Sequence, residues 1–168
     1  MTEIQYTQFH TEFGNIILVS MEKGICYISL PGNQLIEAIS WLDKNIKDYY
    51  LRESLNWTQN AKQEITEYLN QKRKLFTFPI VHINTPFRKL VLAEVSNIPF
   101  GETASYGDIA KYIGKPKAMR AVGTANATNP LPLIIPCHRI IRNDGSLGGY
   151  GGGLNLKMQL LELESNFN

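Results

Sequence analysis

Residues 129–145, "NPLPLIIPCHRIIRNDG", set a cysteine and a histidine side by side between two apolar runs, directly after three prolines. Any fold of this chain has to seat that thiol–imidazole pair in its most apolar neighbourhood. A buried cysteine that only packs needs no imidazole beside it. In an extended backbone neighbouring side chains point to opposite faces, so Cys137 and His138 would not touch directly there. Ile134, Ile135, Ile140 and Ile141 flank the pair and predict a low-dielectric setting.

Several classes are disfavoured by composition. The N-terminal stretch "MTEIQYTQFHTEFGN" lacks the basic segment and apolar run of a signal peptide, and no apolar stretch approaches membrane-spanning length. Cys26 and Cys137 are the two cysteines, which argues against a disulfide framework and for the cytoplasm. Metal ligands are scarce: those two thiols with His10, His82 and His138, and no C-x-x-C spacing, so neither a structural metal nor a cofactor is expected. The 168 residues suffice for one ordinary domain or two small ones. Charge divides unevenly, with eight Lys/Arg against nine Asp/Glu up to residue 80, and nine against six thereafter. Between Thr103 and Arg142, Lys111, Lys115, Lys117, Arg120, Arg139 and Arg142 face Asp108 alone. From charge alone, this is either a solvated basic face or the place where an anionic partner settles.

Along the chain, "NIILVSM" and "GICYISL" read as a hairpin turning at Gly24. Asn33 is placed to cap a helix through "QLIEAISWLDKNIKDYY", and a second helix is predicted in "AKQEITEYLNQKRK". "FTFPIVHI" reads as an edge strand, since Pro79 cannot donate to a ladder. In the second half, Thr85 and Pro86 open a helix that Pro99 closes. Ser105 and Asp108 suggest a capping box with Gly114 as the stop, and "AMRAVGTANATN" predicts a further helix starting near Pro116. Two short helices across a Gly-containing turn outline a helix-turn-helix. The second is slim, with Ala118, Ala121, Gly123, Ala125 and Ala127 and a single large charged side chain, Arg120. Close packing against a neighbour explains this, and so does entry into a groove as narrow as the DNA minor groove.

The ordered blocks "PFGETASYGDIA", "RAVGTANATNP", "IPCHRII", "GGYGGGL" and the terminal Glu164 resemble the O6-alkylguanine-DNA alkyltransferases. The resemblance covers the whole second half; the first half matches in length and outline only. It implies an α+β chain: a small ribonuclease-H-like α/β domain over 1–82, then a mainly helical, winged-helix-like DNA-binding domain with the active site over 83–168. It implies a single-use repair protein that takes the alkyl group of O6-alkylguanine, and also of O4-alkylthymine, onto Cys137. A thiolate suits attack on an alkyl carbon, and the thioether product offers no carbonyl for water to attack, so the thiol is not regenerated.

The same resemblance implies individual roles. His138 acts as base through a water and Glu164 orients it. Tyr106 donates to the departing guanine, and Asn129 ties the turn before the cysteine to the recognition helix. Arg120 fills the gap left by the flipped base, with Lys117 and Ala121 on the DNA-facing side. Gly148, Tyr150 and Gly151 belong to the pocket lid, and the carbonyls of Cys137 and Ile140 accept from the guanine amino group. The implied partner is double-stranded DNA carrying O6-alkylguanine, met by a monomer that can cluster on DNA, with no membrane. Many members have serine at the position of Gly151, so a looser lid is expected here. A lesion sensor, a helix-turn-helix regulator and a Cys/His hydrolase are the competing readings. Cys137 itself disfavours the sensor, the absence of a cysteine-rich domain disfavours the regulator, and the slim arginine-bearing helix disfavours the hydrolase.

Overall fold

The computed structural model describes residues 1–167. The chain forms two compact units, one spanning Met1–Ile83 and the other beginning at Asn84. Together they make the α+β class expected, with sheet concentrated in the first unit and helix in the second.

The first unit is built on a sheet whose founding strand the sequence reading missed. Strand β1 (Thr2–Thr11) pairs antiparallel with β2 (Gly14–Met21), which pairs with β3 (Gly24–Ser29). β1 is polar in composition, yet its Gln5 and Thr7 are buried because it lies inside the sheet rather than at its edge. The hairpin glycine has a second cause besides the turn: a Cβ at Gly24 would lie 2.5 Å from the Pro79 carbonyl oxygen. That approach carries the bonds from Ile25 N–H to Pro79 (3.0 Å) and from Val81 N–H to Ile25 (2.8 Å). The strand expected in "FTFPIVHI" is therefore reduced to one bridge, Ile25 with Ile80.

Helix α1 (Leu35–Asn45) starts after Gln34 rather than Asn33, and no side chain caps it. It stops short of the tyrosines it was expected to include. Asp48 takes a left-handed φ of 50°, and β4 (Tyr49–Glu53) pairs parallel with β1, giving the order β3-β2-β1-β4. Pairing with a strand remote in sequence thus overrides local helical spacing. Helix α2 (Gln59–Leu69) likewise ends before "QKRK", where Gln71 turns left-handed at φ 57° and Arg73 folds back onto Glu67 at 2.7 Å. Ile4, Ile17, Val19, Cys26, Ala38 and Leu42 form the core between sheet and α1. Burial pushes the Cys26 thiol up to about 12, and its Sγ–H donates to the Val19 carbonyl at 3.5 Å. It is a packing residue.

The second unit begins with α3 (Pro86–Ser96), whose Arg88 N–H bonds to Thr85 Oγ1 as the Thr-Pro start predicts. A two-residue strand β5 (Ala104–Ser105) leads into α4 (Tyr106–Tyr112). The capping box is complete: Asp108 N–H donates to Ser105 Oγ at 3.0 Å, and Ser105 N–H to Asp108 Oδ2 at 2.9 Å. Helix α5 (Met119–Ala127) starts three residues after the position of Pro116, and packs with α3 and α4. β6 (Ile140–Ile141) pairs parallel with β5, and α6 (Leu154–Ser165) closes the described chain. Among the described residues no helix is long and apolar enough to cross a membrane, and no three His, Cys, Asp or Glu side chains cluster to hold a metal ion.

Candidate active site around a buried cysteine

The proline-rich loop before Cys137 is held by one side chain. Asn129 Nδ2 donates to the Ile135 carbonyl at 2.9 Å, while its Oδ1 accepts from Leu131 N–H at 3.0 Å. Leu131, Leu133 and Ile135 are buried beneath it. The extended backbone expected at the cysteine is not what forms: Cys137–Arg139 make one turn of 3-10 helix, with Arg139 N–H bonded to the Pro136 carbonyl at 2.9 Å. Tethering by Asn129 and the return into β6 favour a tight turn over a strand. At three residues per turn, the Cys137 and His138 side chains still leave on different sides.

His138 is fully buried, and its Nε2 lies 2.8 Å from Glu164 Oε1. A carboxylate only accepts, so Nε2 carries the proton and Nδ1 is the basic nitrogen. Glu164 is in turn clamped by Arg139, whose Nε reaches Oε2 at 2.9 Å and whose NH2 reaches Oε1 at 2.8 Å. Gly101 N–H adds a bond to Oε2 at 3.1 Å, and Arg139 NH1 donates to the Ile98 carbonyl at 2.7 Å. Burial raises the Glu164 carboxyl, but the hydrogen bonds and charges of His138 and Arg139 outweigh it and hold it well below the carboxylate range. Burial lowers the His138 imidazole against the opposing pull of Glu164, so the ring is neutral at rest. Burial also raises the Cys137 thiol, opposed by the Asn129 hydrogen bond and the Lys157 charge. The resting site is therefore a neutral thiol beside a neutral, oriented imidazole.

Lys157 completes the surroundings. Fully buried, its ammonium donates to the carbonyls of Ile140 and Leu147 at 2.5 Å each and of Gly149 at 3.3 Å. Burial lowers its pKa to about 8. The chain from β6 to the glycine run is thus fastened to α6 by one side chain. Tyr106, first in α4, is bounded by two glycines. A Cβ at Gly148 would lie 3.1 Å from its Oη, and one at Gly123 would lie 3.9 Å from its ring. Burial and the neighbouring Cys137 raise its phenol, while Arg142 and Asn126 work to lower it.

Cys137, His138, Glu164, Asn129, Tyr106 and Gly148 thus come together. Arg120 and Ala121 stand on the exposed side of α5, and Lys117 is exposed just before it. Tyr150 is half-buried and Gly151 exposed, with open space where a Cβ would go. Both implied base-accepting carbonyls already have donors: Cys137 takes Ile140 N–H and Asn126 Nδ2, and Ile140 takes Lys157 Nζ. A separate cleft of about 450 Å³, lined by Lys111, Arg142 and Asn143 among others, does not have Cys137 among its walls. Sequence reading missed Arg139, Lys157 and Asn126. Lys157 had a legible signal, since it lies three residues before Leu160 and seven before Glu164 on the same helical face, where a solvated lysine has no reason to be.

Fold and site together define a two-unit α+β protein carrying a buried cysteine with a carboxylate-held histidine. The model of the 6-O-methylguanine DNA methyltransferase ribonuclease-like domain matches residues 4–81, and that of the same family's DNA binding domain matches 86–166. The inducible methylated-DNA–protein-cysteine methyltransferase of Bacillus subtilis is 40% identical over 150 residues, covering 89% of this chain and 84% of that protein. The methylated-DNA–protein-cysteine methyltransferase of Methanosarcina acetivorans is 39% identical over 163 residues, covering 96% and 98%. The crystal structure of Mycobacterium tuberculosis OGT in complex with DNA superposes with a TM-score of 0.82 at 32% identity, covering 96% of this chain and 92% of that one. The chain belongs to the 6-O-methylguanine DNA methyltransferase family.

Proposed function

We propose that this chain repairs DNA by moving the alkyl group of O6-alkylguanine onto its own Cys137, once per molecule. The observation that carries the reading is the buried Cys137 thiol on the same turn as His138, whose Nε2 is held by Glu164 at 2.8 Å. In the reaction the Cys137 proton passes through a water to His138 Nδ1, and the imidazolium is stabilised by the Glu164 carboxylate. Sulfur attacks the alkyl carbon, the S–C bond forms as the C–O6 bond breaks, and Tyr106 donates toward the leaving guanine. The thioether has no electrophilic carbonyl, so no step restores the thiol. Keeping Cys137 protonated until the base arrives protects it from other electrophiles.

Cys137 is 5% exposed, so a base inside a duplex has to leave the stack and enter the protein. Arg120, exposed on α5, is assigned to the gap that this leaves, with Lys117 and Ala121 beside it on the DNA-facing side. Asn129 holds the cysteine turn, and Tyr150, Gly148 and Gly151 form the lid over the base. The same reading makes 1–82 the ribonuclease-H-like domain and 83–168 the DNA-binding and reactive one. Duplex DNA carrying the lesion is the partner, the acting form is a monomer in the cytoplasm, and O4-alkylthymine is a second substrate.

The test is intact-protein mass after mixing with excess duplex bearing one O6-methylguanine, followed by peptide mapping. One methyl per protein, on Cys137, is expected. An unchanged mass with repeated substrate turnover would replace this reading with the hydrolase.

A further inference from the structure

The cleft of about 450 Å³ in the second unit is a concavity that neither the motifs nor the mechanism above uses. Asp108 and Lys111 of α4, Met119 of α5, and Arg142 and Asn143 of the turn after β6 line it. One wall is shaped by a missing side chain. A Cβ at Gly107 would lie 3.0 Å from Asn143 Oδ1 and 3.3 Å from Met119 Sδ, so glycine there lets the turn close onto α4. Charge in the cleft is one-sided. Its one carboxylate among the described residues, Asp108, already accepts from Ser105 N–H at 2.9 Å inside the capping box. Lys111 and Arg142 are exposed, and among the described residues neither forms a salt bridge. Asn143 Nδ2 contacts the weakly accepting Met119 sulfur at 3.8 Å, which leaves a second N–H for an oxygen. Two cations and an amide donor around one hollow suit an oxyanion. The volume falls within the roughly 300–1,000 Å³ of small-ligand sites, so it has room for more than a bare ion.

The position of the cleft indicates which anion. Arg142 also borders Gly148, where a Cβ would lie 3.4 Å from Arg142 Cγ and 3.1 Å from Tyr106 Oη. The cleft therefore adjoins the Tyr106 side of the reactive site, and the Arg142 charge is felt at the Tyr106 phenol. A nucleotide whose base leaves the stack for Cys137 stays joined through its sugar to two phosphates. Those charged groups come to rest at the mouth of the buried site rather than inside it. We propose that this cleft seats one of the two phosphodiesters flanking the flipped nucleotide, with Lys111 and Arg142 as its cations and Asn143 as a hydrogen-bond donor.

The proposal rests on the alkylguanine reading above and is tested separately from it. Single-turnover methyl transfer at subsaturating DNA is measured for O6-methylguanine duplexes in which one phosphodiester at a time is replaced by a neutral methylphosphonate. The wild type is expected to lose about fivefold at one of the two flanking positions, the upper end for a solvent-exposed charge pair. Arg142→Ala is expected to lose about as much on the unmodified duplex and nothing further when that same phosphate is neutral. Lys111→Ala, on a different element, is expected to show the same insensitivity. Because each variant is compared with itself across duplexes, general damage cancels. Losses that multiply at every position would make the two cations a diffuse basic surface and overturn the proposal. So would a wild type indifferent to both flanking positions. Competition by inorganic phosphate at constant ionic strength, without that positional pattern, would assign the cleft to a free anion and overturn it as well. A wild type that transfers from no duplex would overturn the alkylguanine reading; the same positional scan read by fluorescence anisotropy then still decides whether the cleft holds a phosphodiester.

Discussion

At the scale of single residues, the site is governed by where charge is allowed. Glu164 is the one carboxylate in the network and is 4% exposed, with Arg139 as its compensating cation. Replacing it as Glu164→Gln leaves the guanidinium buried without a counter-charge, which costs about 3–5 kcal/mol. A thermal unfolding midpoint several degrees lower is the expected reading, together with loss of methyl transfer. The pH dependence follows from the same residue. Its folded carboxyl lies below that of an unfolded glutamate, about 4.3, so the stabilisation is fully present above that value. It is lost as pH falls through the depressed folded value, and acid unfolding of the Gln variant should therefore be less steep than that of the wild type. Transfer has a different acid limit. The His138 imidazole is lowered by burial, so the rate should hold constant on descending through its ordinary value of about 6.5 and fall only below it. A fall already half complete at that ordinary value would show a solvated imidazole.

At the scale of elements, the glycine run after β6 divides into positions of unlike tolerance. Gly148 has a φ of 71°, and a Cβ there would lie 3.1 Å from the Tyr106 hydroxyl. Gly148→Ala adds left-handed strain of about 1–2 kcal/mol and presses on Tyr106, so it should lower both stability and transfer rate. Gly151 has open space around it and no left-handed φ, so Gly151→Ser should fold with an unchanged unfolding midpoint. Circular dichroism melts of the two variants check the contrast. Elements also differ in how far local signals reveal them. Helices α3 and α4 are announced by their first residues, Thr85-Pro86 and the Ser105–Asp108 box, because caps are local chemistry. β1 and β4 are not, because β1 is polar and held by pairing on both sides, with β2 and β4, and β4 sits in a helix-like sequence and exists through pairing with β1. The 3-10 turn at Cys137 belongs with them, since Asn129 imposes it from outside the turn.

At the scale of the whole molecule, the positive surplus gathers in the second unit, on Lys111, Lys115, Lys117, Arg120 and Arg142, all exposed. If that surface meets DNA phosphates, affinity for undamaged duplex should fall linearly on a log–log plot as salt rises, by counterion release. Fluorescence anisotropy across a salt series measures the slope; a flat line would remove phosphate contact from this surface. The sequence by itself determined the reactive pair, the order of the motifs around it, the basic bias and the helix starts, because side-chain identity and near-neighbour chemistry are written residue by residue. Only the tertiary structure decided that Arg139 compensates Glu164, that Lys157 fastens the carbonyls of Ile140, Leu147 and Gly149, and that Asn126 donates to the Cys137 carbonyl. Each of those depends on partners 8 to 25 residues apart or on the exclusion of water, and a linear pattern carries neither.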